Sequence, residues 1–140
     1  MLIPVIGGCK NESSDSGNTA SKSPLVGAWK GSVQFTTGAF APVKDLEFMY
    51  LFHQDGTMME SSNYDAAPPV PPAYGIWKQT DALTFEAHYE FYMTTAPDSS
   101  AKASGAEGWL PAGRGVLTET MTLSEDGKSF TSILKFEAFD

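Results

Sequence analysis

Residues 45–63, DLEFMYLFHQDGTMMESSN, decide the fold of this chain. Asp45 to His53 and Thr57 to Asn63 are strand-like runs. Between them lies Gln54-Asp55-Gly56-Thr57, and Asp-Gly flanked by apolar runs is the strongest short-range signal for a β-hairpin. A tight turn of this kind places both central residues at positive φ. Glu125-Asp126-Gly127-Lys128 repeats the signal near the C-terminus.

Outward from these hairpins, apolar residues recur mainly with period two, while proline, glycine and β-branched residues interrupt every helical pattern. Strands are predicted near Leu25 to Thr36, Asp45 to His53, Thr57 to Asn63, Tyr74 to Gln79, Thr84 to Thr94, Arg114 to Leu123 and Ser129 to Phe139. Long antiparallel neighbours without helices must bury one face. Closing the sheet achieves this and removes its edges, so the expected fold is all-β, an antiparallel up-and-down barrel of about eight strands.

Alternation predicts the interior. It turns Trp29, Val33 and Phe35 inward, then Phe85, Ala87, Tyr89 and Phe91, and finally Phe130, Ser132, Leu134 and Phe136. Glu86, His88 and Glu90 face solvent. In Arg114 to Leu123 the apolar set is Leu117, Met121 and Leu123, and Glu119 shares their face. A carboxylate inside a barrel is costly unless hydrogen-bonded or neutralised. Glu119 therefore either marks a ligand contact or proton-transfer residue, or sits near an open rim bonded to a tyrosine.

Gly27 and Trp29 in Leu25-Val26-Gly27-Ala28-Trp29 form the GxW element of the first strand of lipocalin-like barrels, and the chain resembles that superfamily. More narrowly, it resembles a group of secreted bacterial proteins. The shared features are GxW, then Asp55-Gly56-Thr57 with Glu60, a proline-rich loop from Pro68 to Pro72 leading into Gly75-Ile76-Trp77, and a closing Leu123-Ser124-Glu125-Asp126-Gly127-Lys128-Ser129-Phe130. The resemblance implies a barrel whose floor is plugged by Trp29. It does not fix activity.

Cys9, the only cysteine, follows Ile6-Gly7-Gly8 and precedes a polar, Ser-rich stretch; this context resembles a lipobox, in which the cysteine is acylated. Residues 1–8 then read as a truncated lipoprotein signal, since such signals carry a basic start and an apolar stretch of about 7 to 15 residues. Residues 9–23 have too little apolar content to offset their ordering entropy and read as a flexible tether. Residues 24–140 form the barrel. The expected location is the bacterial cell envelope, on the periplasmic face or the cell surface, held by a lipid anchor at Cys9.

A formal net charge of -8 with a single arginine, Arg114, argues against nucleic acid as a partner, because phosphate contacts need clustered Lys and Arg. His53, beside a turn, and His88 have no companions at metal-ligand spacing, so no metal is expected. No phosphate loop or nucleophile elbow is present, and no cofactor is implied. Two irregular segments, Asn63 to Ala73 and Thr95 to Gly113, are placed as loops at the mouth, the second carrying Trp109-Leu110.

The favoured function is binding of a small hydrophobic or amphipathic molecule by Trp29, Tyr50, Trp77, Tyr89, Phe91, Glu119 and Phe136. One alternative is a barrel isomerase or cyclase, with Glu119 protonating or orienting substrate and Tyr50 or Tyr89 as hydrogen-bond donors. Another is a protein-interaction module whose core is simply filled.

Overall fold

In the computed structural model, which describes residues 3–4, 22–64, 70–98 and 108–140, side-chain alternation governs every long strand. In β3 (Leu46–Phe52) the residues Leu46, Phe48, Tyr50 and Phe52 are buried and Met49 and Leu51 are exposed. The same pattern runs through β2 (Gly27–Val33), β4 (Thr57–Ser62), β5 (Ala73–Asp81), β6 (Thr84–Thr95), β7 (Leu110–Leu123) and β8 (Phe130–Phe139). From β2 to β8 each strand pairs antiparallel with the next, and the two-residue β1 (Ile3–Pro4) pairs with the far edge of β8. The sheet is an up-and-down meander that curls into a barrel-like half-cylinder around one core. Its two ends approach inside that core, where Trp29 of β2 meets Phe130 of β8 edge-on at 5.3 Å.

The strand forecast holds with two refinements. Strand β7 starts at Leu110 and not at Arg114, because Leu110 and Pro111 pair with Thr95 and Thr94 beyond a register shift between Tyr92 and Thr94. Trp109, at the edge of this strand, is 43% exposed. The Asp-Gly turns also differ in detail. Positive φ falls on Gly56 (85°) and Gly127 (65°) alone, and neither Asp55 nor Asp126 adopts it. The aspartates instead act through their side chains. Asp55 Oδ1 accepts from Thr57 N at 2.9 Å and Thr57 Oγ1 at 2.6 Å, and Asp126 Oδ1 accepts from Lys128 N at 3.1 Å and Ser124 Oγ at 2.7 Å. Both carboxyls are held below the usual carboxylate range chiefly by the Thr57 and Ser124 hydroxyls. Local hydrogen bonding thus sets a turn in which only the glycine must enter the left-handed region.

These turns define one end of the barrel, the floor. Trp29 Nε1 donates to Leu25 O at 2.8 Å, and Trp77 Nε1 lies within hydrogen-bond reach of His53 O at 3.0 Å and Thr57 O at 3.1 Å. Each indole therefore fills space and closes the backbone of a chain reversal or entry. Phe52, Phe85 and Phe130 complete this dry layer.

Candidate functional site

The opposite end, the mouth, is built by two amide side chains. Gln34 Nε2 lies within reach of the carbonyls of Phe35, Ala41 and Val43 (2.8, 3.2 and 3.4 Å), which folds the β2–β3 connection into a compact loop. Asn63 accepts from Glu47 N at 2.8 Å and donates to Asp45 O at 2.9 Å, tying the end of β4 to the start of β3. Asp45 takes φ 56°, the only positive φ at a non-glycine among the described residues. This is a costly conformation that the Asn63 clamp helps to hold.

The compact loop delivers Phe40 across the mouth. Its ring lies 5.2 Å from Phe136, 5.5 Å from Phe35 and 5.6 Å from Tyr64. Beneath it Phe91 and Phe136 stack at 6.1 Å. Gly115 makes this stack possible, since a Cβ there would come within 2.5 Å of the Phe91 ring and 2.7 Å of Phe136. Between these rings, Phe48 and Leu117 lies a cavity of about 40 Å³, with Glu60 on its wall. That is room for a few waters, well short of the several hundred Å³ that holds a drug-sized ligand. A larger hollow of about 190 Å³ lies along the outer face beside Met49, Leu51 and Met59. Alternation sends the Tyr50 and Glu60 side chains away from it.

Glu60 is 5% exposed, and its Oε1 has no hydrogen-bond partner among the described residues. Burial, reinforced by the charge of Glu119, pushes its carboxyl up to about 8. Below the cavity sits the second interior carboxyl. Glu119 is fully buried, and Tyr89 Oη donates to its Oε2 at 2.7 Å while Tyr50 Oη donates to its Oε1 at 3.4 Å. Burial raises the Glu119 carboxyl as well. Ser132, Tyr89 and Tyr50 act in the opposite direction, although Ser132 Oγ meets no partner at hydrogen-bond geometry. Both tyrosines are pushed well above their ordinary range by burial and then by the negative charge of Glu119. The arrangement stores acid and hydroxyl groups in a low-dielectric core, where each prefers its neutral form.

The sequence-derived residues separate by height. Phe91 and Phe136 line the mouth cavity, Tyr50, Tyr89 and Glu119 form one hydrogen-bonded cluster beneath it, and Trp29 and Trp77 lie at the floor. The rim alternative for Glu119 is corrected: it sits mid-barrel, sealed from solvent, with two tyrosine partners instead of one. Cys9, the Pro68 and Pro69 part of the proline-rich loop and most of the tether lie outside the described residues. Sequence reasoning missed Glu60 as an interior group. Counting by two from Met58 finds it, as does the hairpin register that pairs it with Tyr50. His53 and His88 are both exposed. Comparison of the chain with family models, with curated proteins and with solved structures finds no match.

Proposed function

We propose that the chain is a lipocalin-like binding barrel that takes a small amphipathic molecule through its mouth. The observation that carries this reading is the pairing of an aromatic cavity with an unsatisfied, buried carboxyl at its wall. Interior polar atoms without partners are rare in folded proteins, and Glu60, which carries one, borders a cavity through which a polar group could reach its carboxyl. Entry displaces Phe40, whose ring occupies the mouth. Binding is favoured over isomerase or cyclase chemistry because Glu119, Tyr50 and Tyr89 lie below the cavity and form no part of its wall.

In this reading the lipobox-like segment anchors the barrel at Cys9 to the bacterial cell envelope, with the Ser-rich stretch as tether. Native mass spectrometry of the full chain from its host's membrane fraction tests both parts. A defined small-molecule adduct is expected, together with acyl mass on the peptide containing Cys9. A bare mass across several extracts sinks the binding reading, and an unmodified Cys9 sinks the anchor.

A further inference from the structure

We infer that the mouth takes a small organic ammonium ion, primary or secondary, with its N–H groups on Glu60 and its apolar part among Phe48, Phe91 and Phe136. This rests on the binding reading above and names its ligand class. The first argument is charge. Among the described residues the interior holds two carboxyls, Glu60 and Glu119, and no basic side chain. Lys30, Lys78, Arg114 and Lys135 all stand on the outside in exposed ion pairs. The interior therefore offers a cation acidic groups and no positive charge to repel it. The second argument is the wall. Phe35, Phe40, Phe48, Tyr64, Phe91 and Phe136 line the cavity together with Glu60, and aromatic rings attract cations through their quadrupole while tolerating alkyl groups. The third is valence: among the described residues Glu60 Oε1 is an acceptor without a donor, and an ammonium N–H supplies one, as a quaternary ion cannot. A formal net charge of -8 further draws cations toward the molecule.

In the empty barrel a proton takes the place of the cation. Binding then exchanges them: the ammonium enters, Glu60 ionises, and its proton leaves to solvent. The ionisable groups facing Glu60 or sharing its cavity are Tyr50 across the β3–β4 register, Tyr89, Glu119 and, at the cavity wall, Tyr64, and Glu119 is the one whose charge raises the Glu60 carboxyl. Affinity for an ammonium ion should accordingly rise about tenfold per pH unit below the Glu60 value and level off above it.

The test titrates the full chain with n-butylammonium, n-butanol and butyrate, followed by NMR between pH 6 and 9.5, with proton release measured calorimetrically. At pH 9 butylammonium should bind at least tenfold more tightly than butanol, and butyrate least tightly. About one proton should leave per ligand at pH 6.5 and almost none at pH 9.5. Glu60→Gln should reduce butylammonium to the level that the same variant shows for butanol and erase the pH dependence, with the amide spectrum reporting an intact fold. Glu119→Gln should retain binding with the midpoint of the pH profile moved lower. Equal binding of butanol and butylammonium in the wild type overturns the ammonium assignment while the binding reading stands. Binding of none of the three overturns both. Butylammonium binding that survives Glu60→Gln unchanged overturns the assignment by moving the cation elsewhere.

Discussion

The floor and the mouth of this barrel use the same residue types to opposite ends. At the floor, Trp29 and Trp77 have their indole N–H groups satisfied by backbone carbonyls, and Phe52, Phe85 and Phe130 are essentially inaccessible. At the mouth, Phe35, Phe40, Tyr64, Phe91 and Phe136 are only partly buried, a cavity separates them, and a carboxyl oxygen goes unpaired. Aromatic area stabilises the fold only where rings close-pack; where they enclose space they create a site and lose contacts. In the proposed binding reading, the contrast places stability at one end and recognition at the other.

The largest effect that tests this division is truncation of one ring at each end. Phe85→Ala should cost about 3–5 kcal/mol, the usual range for a fully buried phenylalanine. Phe136→Ala, half-buried and bordering an existing cavity, should cost roughly 1–2 kcal/mol, because part of its surface is already unpacked. Guanidinium unfolding of the two variants gives the comparison directly. Equal losses at the two ends would erase the distinction.

Next in size is the response to pH. The Glu60 carboxyl titrates at about 8 in the folded chain, far above the ordinary glutamate value that it takes when unfolded. A raised carboxyl contributes stability that is fully present below the unfolded pKa and is lost as pH climbs through the folded one. Stability should therefore fall by an amount on the order of 4 kcal/mol between about pH 4.5 and 8, then level off. Glu119 is shifted in the same direction and adds to the slope. Asp55 and Asp126, shifted down, act with opposite sign, and their contribution disappears only in stronger acid. Urea midpoints across this range, with Glu60→Gln flattening part of the slope, check the assignment. A flat wild-type profile would show that Glu60 is well solvated.

Smaller again is the hydrogen-bonded cluster that divides floor from mouth. Tyr89→Phe removes the 2.7 Å donor to Glu119 and should cost about 1–2 kcal/mol, whereas Tyr50→Phe removes a 3.4 Å contact and should cost less. Loss of the Tyr89 hydroxyl also removes one of the groups that lowers the Glu119 carboxyl, so the pH slope should steepen. A reversed order of the two variants in thermal unfolding would make Tyr50 the main partner.

Much of this was legible in the residues. Asp-Gly between apolar runs located both hairpins, and period-two alternation turned Glu119, Tyr89 and Phe136 inward. Glu60 was hidden because the adjacent Met58-Met59 leaves open which methionine faces inward, and the hairpin register settles the face. Height along the barrel was not readable from alternation, and only the resemblance placed Trp29 at the floor. Alternation tells which side of a sheet a residue occupies, while its level follows from strand stagger, here altered by irregularities at Gln79/Asp81 and Tyr92/Thr94. That is why Trp29 and Trp77 were grouped with Phe91 and Phe136, which lie at the other end. Phe40 was invisible for a different reason: it sits in an aperiodic loop whose shape depends on the three carbonyls that Gln34 gathers.

Phe40 supplies the smallest effect on stability and the sharpest view of the mouth. Its ring packs against Phe35, Tyr64 and Phe136, all mouth residues, and the loop that carries it is held by Gln34 independently of the ring. Phe40→Ala should therefore cost no more than about 1 kcal/mol, since its neighbours are partly wetted already. The same change removes the group that fills the entrance and enlarges the cavity above Glu60. Ligand association should accelerate, and solvent access should bring the Glu60 carboxyl down from about 8 toward its ordinary range. A carbon-13 titration of Glu60 in the variant reads this shift without any ligand. An unchanged Glu60 titration together with a loss of several kcal/mol would place Phe40 in the structural core and extend the floor's role to the whole barrel.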